Sequence, residues 1–515
     1  MHERASSSHD AQTTGHVVVI GAGPAGLTAA YLLSRAGVRV TVLESDPEYV
    51  GGLSRTVRWK GFLFDIGGHR FFSKSAEVEA LWNEILPADM LDRPRSSRIY
   101  YGGKFYEYPL KAAEALWNLG LLESLLCLLS YCRAHLFPVV SPRNFQDWVS
   151  NQFGARLFRI FFRTYTEKVW GMDCREISAD WAAQRINGLS LGAAIWQALT
   201  PARAAGDRGQ NIKSLIHQFR YPRKGPGMMW EAAAREISQR GGQILLGQTV
   251  TGVTRNQRAN EYTVSVRDQA GRMETLNAAH VISSAPLRAL VNGLQPAPPA
   301  QVIAAANDLR YRDFITVALI VREKNRFQDN WIYIHDPGVR VGRIQNFKSW
   351  SPEMIPDPAL CCYGMEYFCF EGDGLWTATD AALIEMATAE LETLGLCARA
   401  DMLDGHVVRQ AKAYPVYDDV YAAHVETIRQ ELETAWPGLH LTGRNGMHKY
   451  NNQDHAMMTA MLTVKNILAG RKLYDVWQVN QDAEYHETAT PAQPAASGLR
   501  AVPARVTRRR VDGRR

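Results

Sequence analysis

Residues 16 to 45, "HVVVIGAGPAGLTAAYLLSRAGVRVTVLES", set the pattern for the whole chain. An apolar run meets a glycine turn, then an apolar-periodic helix, then a second apolar run, which predicts a strand, a turn, a helix and a parallel neighbouring strand. "GGQILLGQTVTGVTRN" and "AAHVISSAPLRAL" carry further apolar runs of the same kind, the second ending in the small residues Ser283, Ser284 and Ala285. Two stretches break the pattern. Residues 110 to 215 follow a helical period, whereas "FITVALIV", "NWIYIHD" and "CCYGMEYFCF" within 308 to 370 alternate as strands. Near the end, "GMHKYNNQDHAMMTAMLTVKNILAG" places eight polar residues, His448 to His455, before a helix expected from Met457 and stopped by Gly470.

This order predicts an α/β fold. A Rossmann-like, two-dinucleotide-binding domain would take residues 15–105, 223–305 and 405–475, interrupted by a helical substrate or cap insert at 106–222 and an antiparallel β-sheet substrate domain at 306–404. The polar first 14 residues and the stretch 484–515 read as disordered ends.

Composition narrows the classes. With 515 residues and 46% hydrophobic content the chain can bury a large core. Its formal charge of +6 resides in the last sixteen residues, where seven arginines face Asp512, so the body is close to neutral and specific nucleic-acid binding is not expected. Seven cysteines without a CxxC pair argue against disulfides and a metal site, and with no signal-peptide pattern they point to the cytoplasm. The apolar stretch 119 to 140 is interrupted by Glu123, Arg133 and His135, so it reads as a buried or interfacial helix, not a transmembrane segment.

Gly21, Gly23 and Gly26 form a GxGxxG between strand and helix, and Glu44 ends the second strand. Gly21 suits the tight turn, Gly23 a close approach to a diphosphate, Gly26 helix–strand packing, and Glu44 the ribose hydroxyls. Gly51 and Gly52 follow, with Leu53, Ser54, Arg55 and Thr56, a second glycine pair placed after the ribose-binding acid as in two-dinucleotide flavoproteins. The expected cofactor is therefore FAD, held non-covalently, with Pro24, Ala25, Ser45 and Val250 as further contacts. The polar cluster before the last helix would offer unpaired N–H groups to a polar cofactor edge.

Four further pieces carry a family likeness: "FDIGGHRFFSK", "FQDWVSNQFGARLFRIFFRTYTEKVWGMD", "FRYPRKGPGMMW" and "GRNGMHKYNNQDH". In order and spacing, from about 17 to 470, the chain resembles the flavin-dependent UDP-galactopyranose mutases, especially the longer eukaryotic-type members. The resemblance implies that Gly67, Gly68 and His69 lie against the flavin ring. It also implies that Gly443, Arg444, Tyr450, Asn451, Asn452 and Gln453 line the flavin's other side. Arg223 and Arg343 would clamp a diphosphate, Tyr414 and Tyr450 would hydrogen-bond it, and Tyr108, Thr166, Trp170, Trp331 and Tyr333 would complete the substrate pocket. His69, Arg223 and Arg343 are the catalytic candidates. Leu110, Lys111, Thr166 and Trp350 depart from the residues the family places in the pocket, which implies an altered base site.

The implied function is ring isomerisation of a sugar nucleotide, pyranose to furanose, by reduced FAD acting as nucleophile without net redox. The implied partners are a nucleoside-diphosphate sugar and an external reductant such as NAD(P)H or a reductase; a homo-oligomer is possible on this reading. Two alternatives stay open, since a fold does not fix a reaction. One is an amine-oxidase-like oxidase or desaturase, and the other a flavin-containing binding protein without turnover.

Overall fold

A computed structural model describes residues 15–108, 110, 112–179, 214–215, 218–256, 258, 261–324, 327–480 and 488–489. The apolar runs form a five-stranded parallel sheet in the order Gln243–Leu245, Val40–Leu43, Val17–Ile20, His280–Ser283, Leu439–Leu441. Val17–Ile20 and Val40–Leu43 are buried at every position, as parallel strands covered on both faces must be. One face packs on the helices Pro24–Arg35, Gly227–Gln239 and Gln453–Leu468 through Val19, Tyr31, Trp230, Met457 and Met461. The other packs Val18, Ile20 and Val281 against Leu287, Leu432, Trp436 and a four-stranded sheet that contains Thr249–Asn256.

A seven-stranded sheet stands beside this layer, ordered Met402–Pro415, Tyr311–Arg322, Leu360–Cys369, Arg343–Asn346, Trp331–Ile334, Ser97–Tyr101, Lys104–Glu107. Period-two alternation in its longest buried strand serves both faces. Ile315, Val317, Leu319 and Val321 join Leu383, Ala387 and Leu391 of the helix Asp380–Thr393, while Phe314, Ala318 and Ile320 join Phe62, Phe64 and Trp350. The second face looks toward the parallel-sheet layer, and the candidate site lies there.

The expected β-sheet region was drawn too small. Strands at Ser97–Tyr101 and Lys104–Glu107, and the long strand Met402–Pro415, belong to the seven-stranded sheet, so the chain first leaves the parallel-sheet layer before residue 97 and makes its last return after 415. The reason is pairing: Trp331–Ile334 needs a partner on its outer edge and takes Ser97–Tyr101 in parallel. Helices Ala112–Leu119, Leu121–Leu136, Phe145–Phe153 and Thr164–Trp170 occupy the insert. Residues 180–213, the first 14 residues and most of 484–515 lie outside the described residues. Among the described residues no helix is long and apolar enough to cross a membrane.

Candidate active site

The strand Val17–Ile20 ends in Gly21, whose φ of +96° belongs to the left-handed region that favours glycine. Gly21 N–H donates to the Leu43 carbonyl at 2.8 Å, which turns the chain into the helix Pro24–Arg35. A Cβ on Gly26 would stand 1.8 Å from the Gly21 carbonyl oxygen, so only glycine lets this helix sit on its strand. Gly23 differs: the nearest atom to an added Cβ is the Gly52 Cα at 4.0 Å, across open space. No side chain caps the helix and its first turn carries no acid, so its leading N–H groups are left for a ligand.

These residues form one wall of a cleft of about 460 Å³. Gly21, Gly23, Pro24, Ala25, Glu44, Ser45, Gly52, Leu53, Ser54 and His69 line it, and Val250, Gly443, Arg444, Asn451, Asn452 and Gln453 face them. Glu44 is the one carboxylate among these lining residues. Its Oε2 accepts from Ala22 N–H at 2.7 Å and its Oε1 from Asp46 N–H at 2.9 Å, which fixes the group at the end of its strand.

On the opposite wall the last helix starts at Gln453, earlier than Met457. Asn452 and His455 form a reciprocal cap, with Asn452 N–H donating to His455 Nδ1 at 3.2 Å. Much of the polar cluster is spent inside the protein: Asp454 accepts from Ser73 Oγ at 3.2 Å, Asn451 Nδ2 donates to the Gly443 carbonyl at 3.0 Å, and Lys449 reaches the Trp477 carbonyl at 2.9 Å. Asn451, Asn452 and Gln453 nevertheless line the cleft. Gln453 Oε1 and Asn445 Oδ1 are buried there and meet no hydrogen-bond partner among the described residues. Two orphaned acceptors, open N–H groups and an anchored acid fit a flavin dinucleotide, whose amide and hydroxyl groups donate.

His69 closes one end of the cleft. Its Nε2–H donates to the Ile66 carbonyl at 2.8 Å, and burial, helped by the charges of Arg444 and Arg343, lowers it to about 4. The ring is therefore neutral at physiological pH. An added Cβ on Gly67 would come within 3.7 Å of both His69 Nε2 and Arg343 Nη2, so the loop brings the two side chains onto a common glycine surface. A Cβ on Gly68 would meet Gln345 Nε2 at 2.9 Å and Trp350 Cζ2 at 3.2 Å. Neither Gly67 nor Gly68 lines the cleft; both set how closely the loop approaches the seven-stranded sheet.

Beyond His69 the seven-stranded sheet contributes a chamber of cations and phenols. Arg343 is half-buried and bonded to the fully buried carboxylate of Glu366, whose Oε1 also accepts from Gln345 Nε2 at 2.8 Å. Burial opposes the Arg343 charge, but Glu366 and Tyr165 outweigh it, and the guanidinium stays protonated. Tyr165, Tyr333 and Tyr414 lie within its electrostatic reach. Tyr414 stacks on Tyr450 at 5.6 Å, and Arg444 stands over both rings at 5.3 and 5.0 Å. Tyr333 packs against Tyr108 at 4.9 Å, Tyr165 at 5.4 Å and Trp331 at 6.2 Å.

Of the candidate substrate residues, Tyr108, Trp331, Tyr333, Arg343, Tyr414 and Tyr450 neighbour one another here. Thr166 is buried one turn before Trp170, and no contact ties it to Arg343. Trp170 is only 2% exposed and packs behind Tyr450 at 6.4 Å, so it backs the chamber and offers no open face to a base. Arg223 is the clear correction. It lies at the surface, its Nη1 bonded to Glu353 at 2.8 Å and its Nε to Asp89 at 3.3 Å, and does not join Arg343. Its main chain is tied to the Asp89 carbonyl at 2.8 Å, beside the short ladder Met90–Pro94 with Gln218–Pro222, where those carboxylates are within reach.

Sequence reasoning missed the cations that do stand by the rings. Arg95 lies over Trp331 at 5.8 Å and Tyr108 at 5.4 Å, and Arg70 over Trp331 at 6.0 Å. Arg70 directly follows His69 and could have been found from that adjacency; Arg95 carries no sequence signal until the strand Ser97–Tyr101 is paired. Glu366 and Tyr165 were also missed, and Trp350 proves to be core, stacked on Trp331 at 5.4 Å.

The description "Flavin containing amine oxidoreductase" matches residues 24–451, which contain most of both walls of the cleft. The chain belongs to the flavin-containing amine oxidoreductase family. Within it, this enzyme is 25% identical over 348 residues to an L-amino-acid oxidase of Crotalus adamanteus, a match covering 64% of this chain and 60% of that protein. It is 52% identical over 59 residues to the L-amino acid oxidase Cdc18 of Crotalus durissus cumanensis, covering 12% of each. The chain thus spans less than two thirds of the length of these relatives. In fold it is similar to a reduced UDP-galactopyranose mutase, with a TM-score of 0.75 and 21% identity over 88% of this chain and 94% of that one. A redesigned putrescine oxidase is also similar, with a TM-score of 0.57 and 15% identity over 88% and 99%.

Proposed function

We propose that this flavoenzyme binds a nucleoside-diphosphate sugar in the Arg343 chamber and isomerises its ring between pyranose and furanose forms, with non-covalent, reduced FAD in the cleft. The observation that carries this reading is the make-up of the chamber: a half-buried arginine with three tyrosines in its electrostatic reach, Arg95 and Arg70 over aromatic rings, and His69 of the cleft beside Arg343 over Gly67. An oxidase acting on an apolar substrate needs an apolar tunnel there, and cations on tyrosine-rich walls favour an anion. The fold likeness to the reduced mutase supports the same reading.

When bound, reduced flavin supplies a nucleophile toward the anomeric carbon and retains its electrons over the cycle. The protein's part is position and charge. Arg343 holds the diphosphate through paired donors and stabilises it as it leaves, while Tyr414 and Tyr450 add neutral donors. Tyr414 remains a phenol, since burial raises it to about 12. His69, neutral and committed to Ile66, brings no competing cation between sugar and cofactor. Asn451, Asn452 and Gln453 hold the cofactor's polar edge, and Glu44 its ribose. An external reductant such as NAD(P)H or a reductase primes the enzyme.

One observation favours a second reading. Glu366 already balances much of the Arg343 charge, which leaves an arginine better matched to one carboxylate than to two phosphates, and several of the curated relatives are L-amino-acid oxidases. Calorimetric titration of the purified protein with UDP, ADP and a panel of L-amino acids separates the two. Binding of a nucleoside diphosphate, weakened in Arg343→Ala, is expected; amino-acid binding without diphosphate binding would overturn the proposal.

A further inference from the structure

The helix Leu121–Leu136 turns an apolar face outward. Leu121 is 93% exposed, Leu125 54% and Leu129 57%, positions that share one side of the helix. Phe137 and Val140 extend the surface past the helix end at 78% and 87%, and Trp117 flanks it at 86%. The inner side is the polar one: the Glu123 carboxylate grips Arg156 at 2.6 Å and Ser130 Oγ accepts from Arg156 N–H at 3.1 Å. A surface helix ordinarily shows the reverse, with its apolar stripe turned to the core.

Charge decides what covers it. From 117 to 143 every exposed ionic side chain is a cation, Arg133 and Arg143, with His135 beside them, while Glu123 is turned inward. A second copy docked about a two-fold axis would set these cations on a rim to which this segment brings no exposed carboxylate. Anionic headgroups supply that charge. The chain's last sixteen residues carry a further +6. Sixteen helical residues extend about 24 Å, short of the hydrocarbon core's thickness of about 30 Å, so the helix suits a position along a membrane surface.

We propose that this face seats the protein on an anionic lipid bilayer, the helix lying in the interfacial plane with its leucines in the acyl boundary and Arg133 and Arg143 among the headgroups. The inference does not depend on the reaction the enzyme catalyses.

Sedimentation of the full chain with vesicles tests it. Wild type is expected to co-sediment with vesicles of equal phosphatidylcholine and phosphatidylglycerol, and more weakly with phosphatidylcholine alone. Leu125→Glu with Leu129→Glu alters only outward side chains, so its thermal melt should match wild type while its vesicle partition falls by about tenfold or more. Arg133→Glu with Arg143→Glu should weaken the preference for anionic vesicles, and an unchanged preference would remove these two arginines from the headgroup contact. The proposal is overturned if wild type stays in the supernatant, or if the leucine variant partitions equally. It is equally overturned if light scattering shows a wild-type dimer that the leucine variant converts to a monomer without vesicle binding, because a second copy would then own the face.

Discussion

The cleft is built largely of main chain, and the chamber beyond His69 of side chains. In the first, Gly21, Gly23 and Gly52 expose backbone, a helix start offers bare N–H groups, and a single anchored carboxylate does the selecting. In the second, Arg343, Arg95, Arg70 and a set of phenol and indole rings converge from strands and helices far apart in sequence. The two differ in what a substitution disturbs: at Gly23 an added side chain spares the protein's own packing and intrudes on the cleft, whereas removing Arg343 leaves the buried Glu366 without its partner.

Four substitutions, the second with a companion, probe that contrast in descending order of effect. Gly23→Val places a branched side chain where the protein leaves 4.0 Å of open space, so the fold should survive. The bulk intrudes on the diphosphate position instead, and flavin affinity should fall on the order of a hundredfold, by the cost of overpacking. Flavin absorbance after gel filtration reads this directly, and a wild-type yellow variant would break the assignment of the cleft. Arg343→Ala should weaken UDP binding by roughly ten- to a hundredfold, as loss of a charged donor does, while flavin is retained. It also strands Glu366 in the interior, so the companion Glu366→Gln, which frees Arg343 from its carboxylate, should bind UDP at least as well as wild type. Unchanged affinity in Arg343→Ala would remove the chamber from the substrate's path.

The third probe sits at the boundary between the two regions. His69 is lowered to about 4 in the fold, below its ordinary value near 6.5, so the unfolded chain binds its proton first as pH falls. Its contribution to stability is complete above pH 6.5 and is lost progressively down to pH 4, amounting to about 2 kcal/mol by pH 5. His335, His440 and His448 share this direction, which is why the difference between wild type and His69→Asn is the quantity to follow by denaturant titration at pH 7 and pH 5. Parallel losses in both proteins would mean that His69 is not held neutral. The smallest effect belongs to Arg223→Ala. Its partners Asp89 and Glu353 are solvent-facing, so UDP affinity should match wild type and the melting temperature stay within about 2 °C. A tenfold loss of affinity would restore it to the clamp and overturn its surface placement.

Legibility in the sequence follows the same divide. Gly21, Gly23, Gly26 and Glu44 lie within 24 residues and each has a conformational reason, so local pattern was enough to find them. The same holds for the strands Val17–Ile20 and Leu360–Cys369, whose apolar runs and alternation survive folding nearly unchanged. The chamber depends on pairing that no local pattern encodes. Arg95 stands over Trp331 because Ser97–Tyr101 joins the edge of Trp331–Ile334, and Arg223 is held away because its own ladder and two carboxylates claim it. The polar run His448–His455 was legible as a helix start, but not which of its groups bond the protein, as Lys449 and Asp454 do, and which line the cleft, as Asn451, Asn452 and Gln453 do.

The central claim, that the enzyme isomerises a sugar nucleotide without passing electrons onward, is tested most directly by counting electrons. Protein reduced once with dithionite under anaerobic conditions, then mixed with a panel of nucleoside-diphosphate hexoses, should give many turnovers to a product of identical mass, and the oxidised protein should give none. Peroxide released in proportion to product when oxygen is present, or a product short of two hydrogen atoms, would contradict the account and assign the chamber to an oxidase.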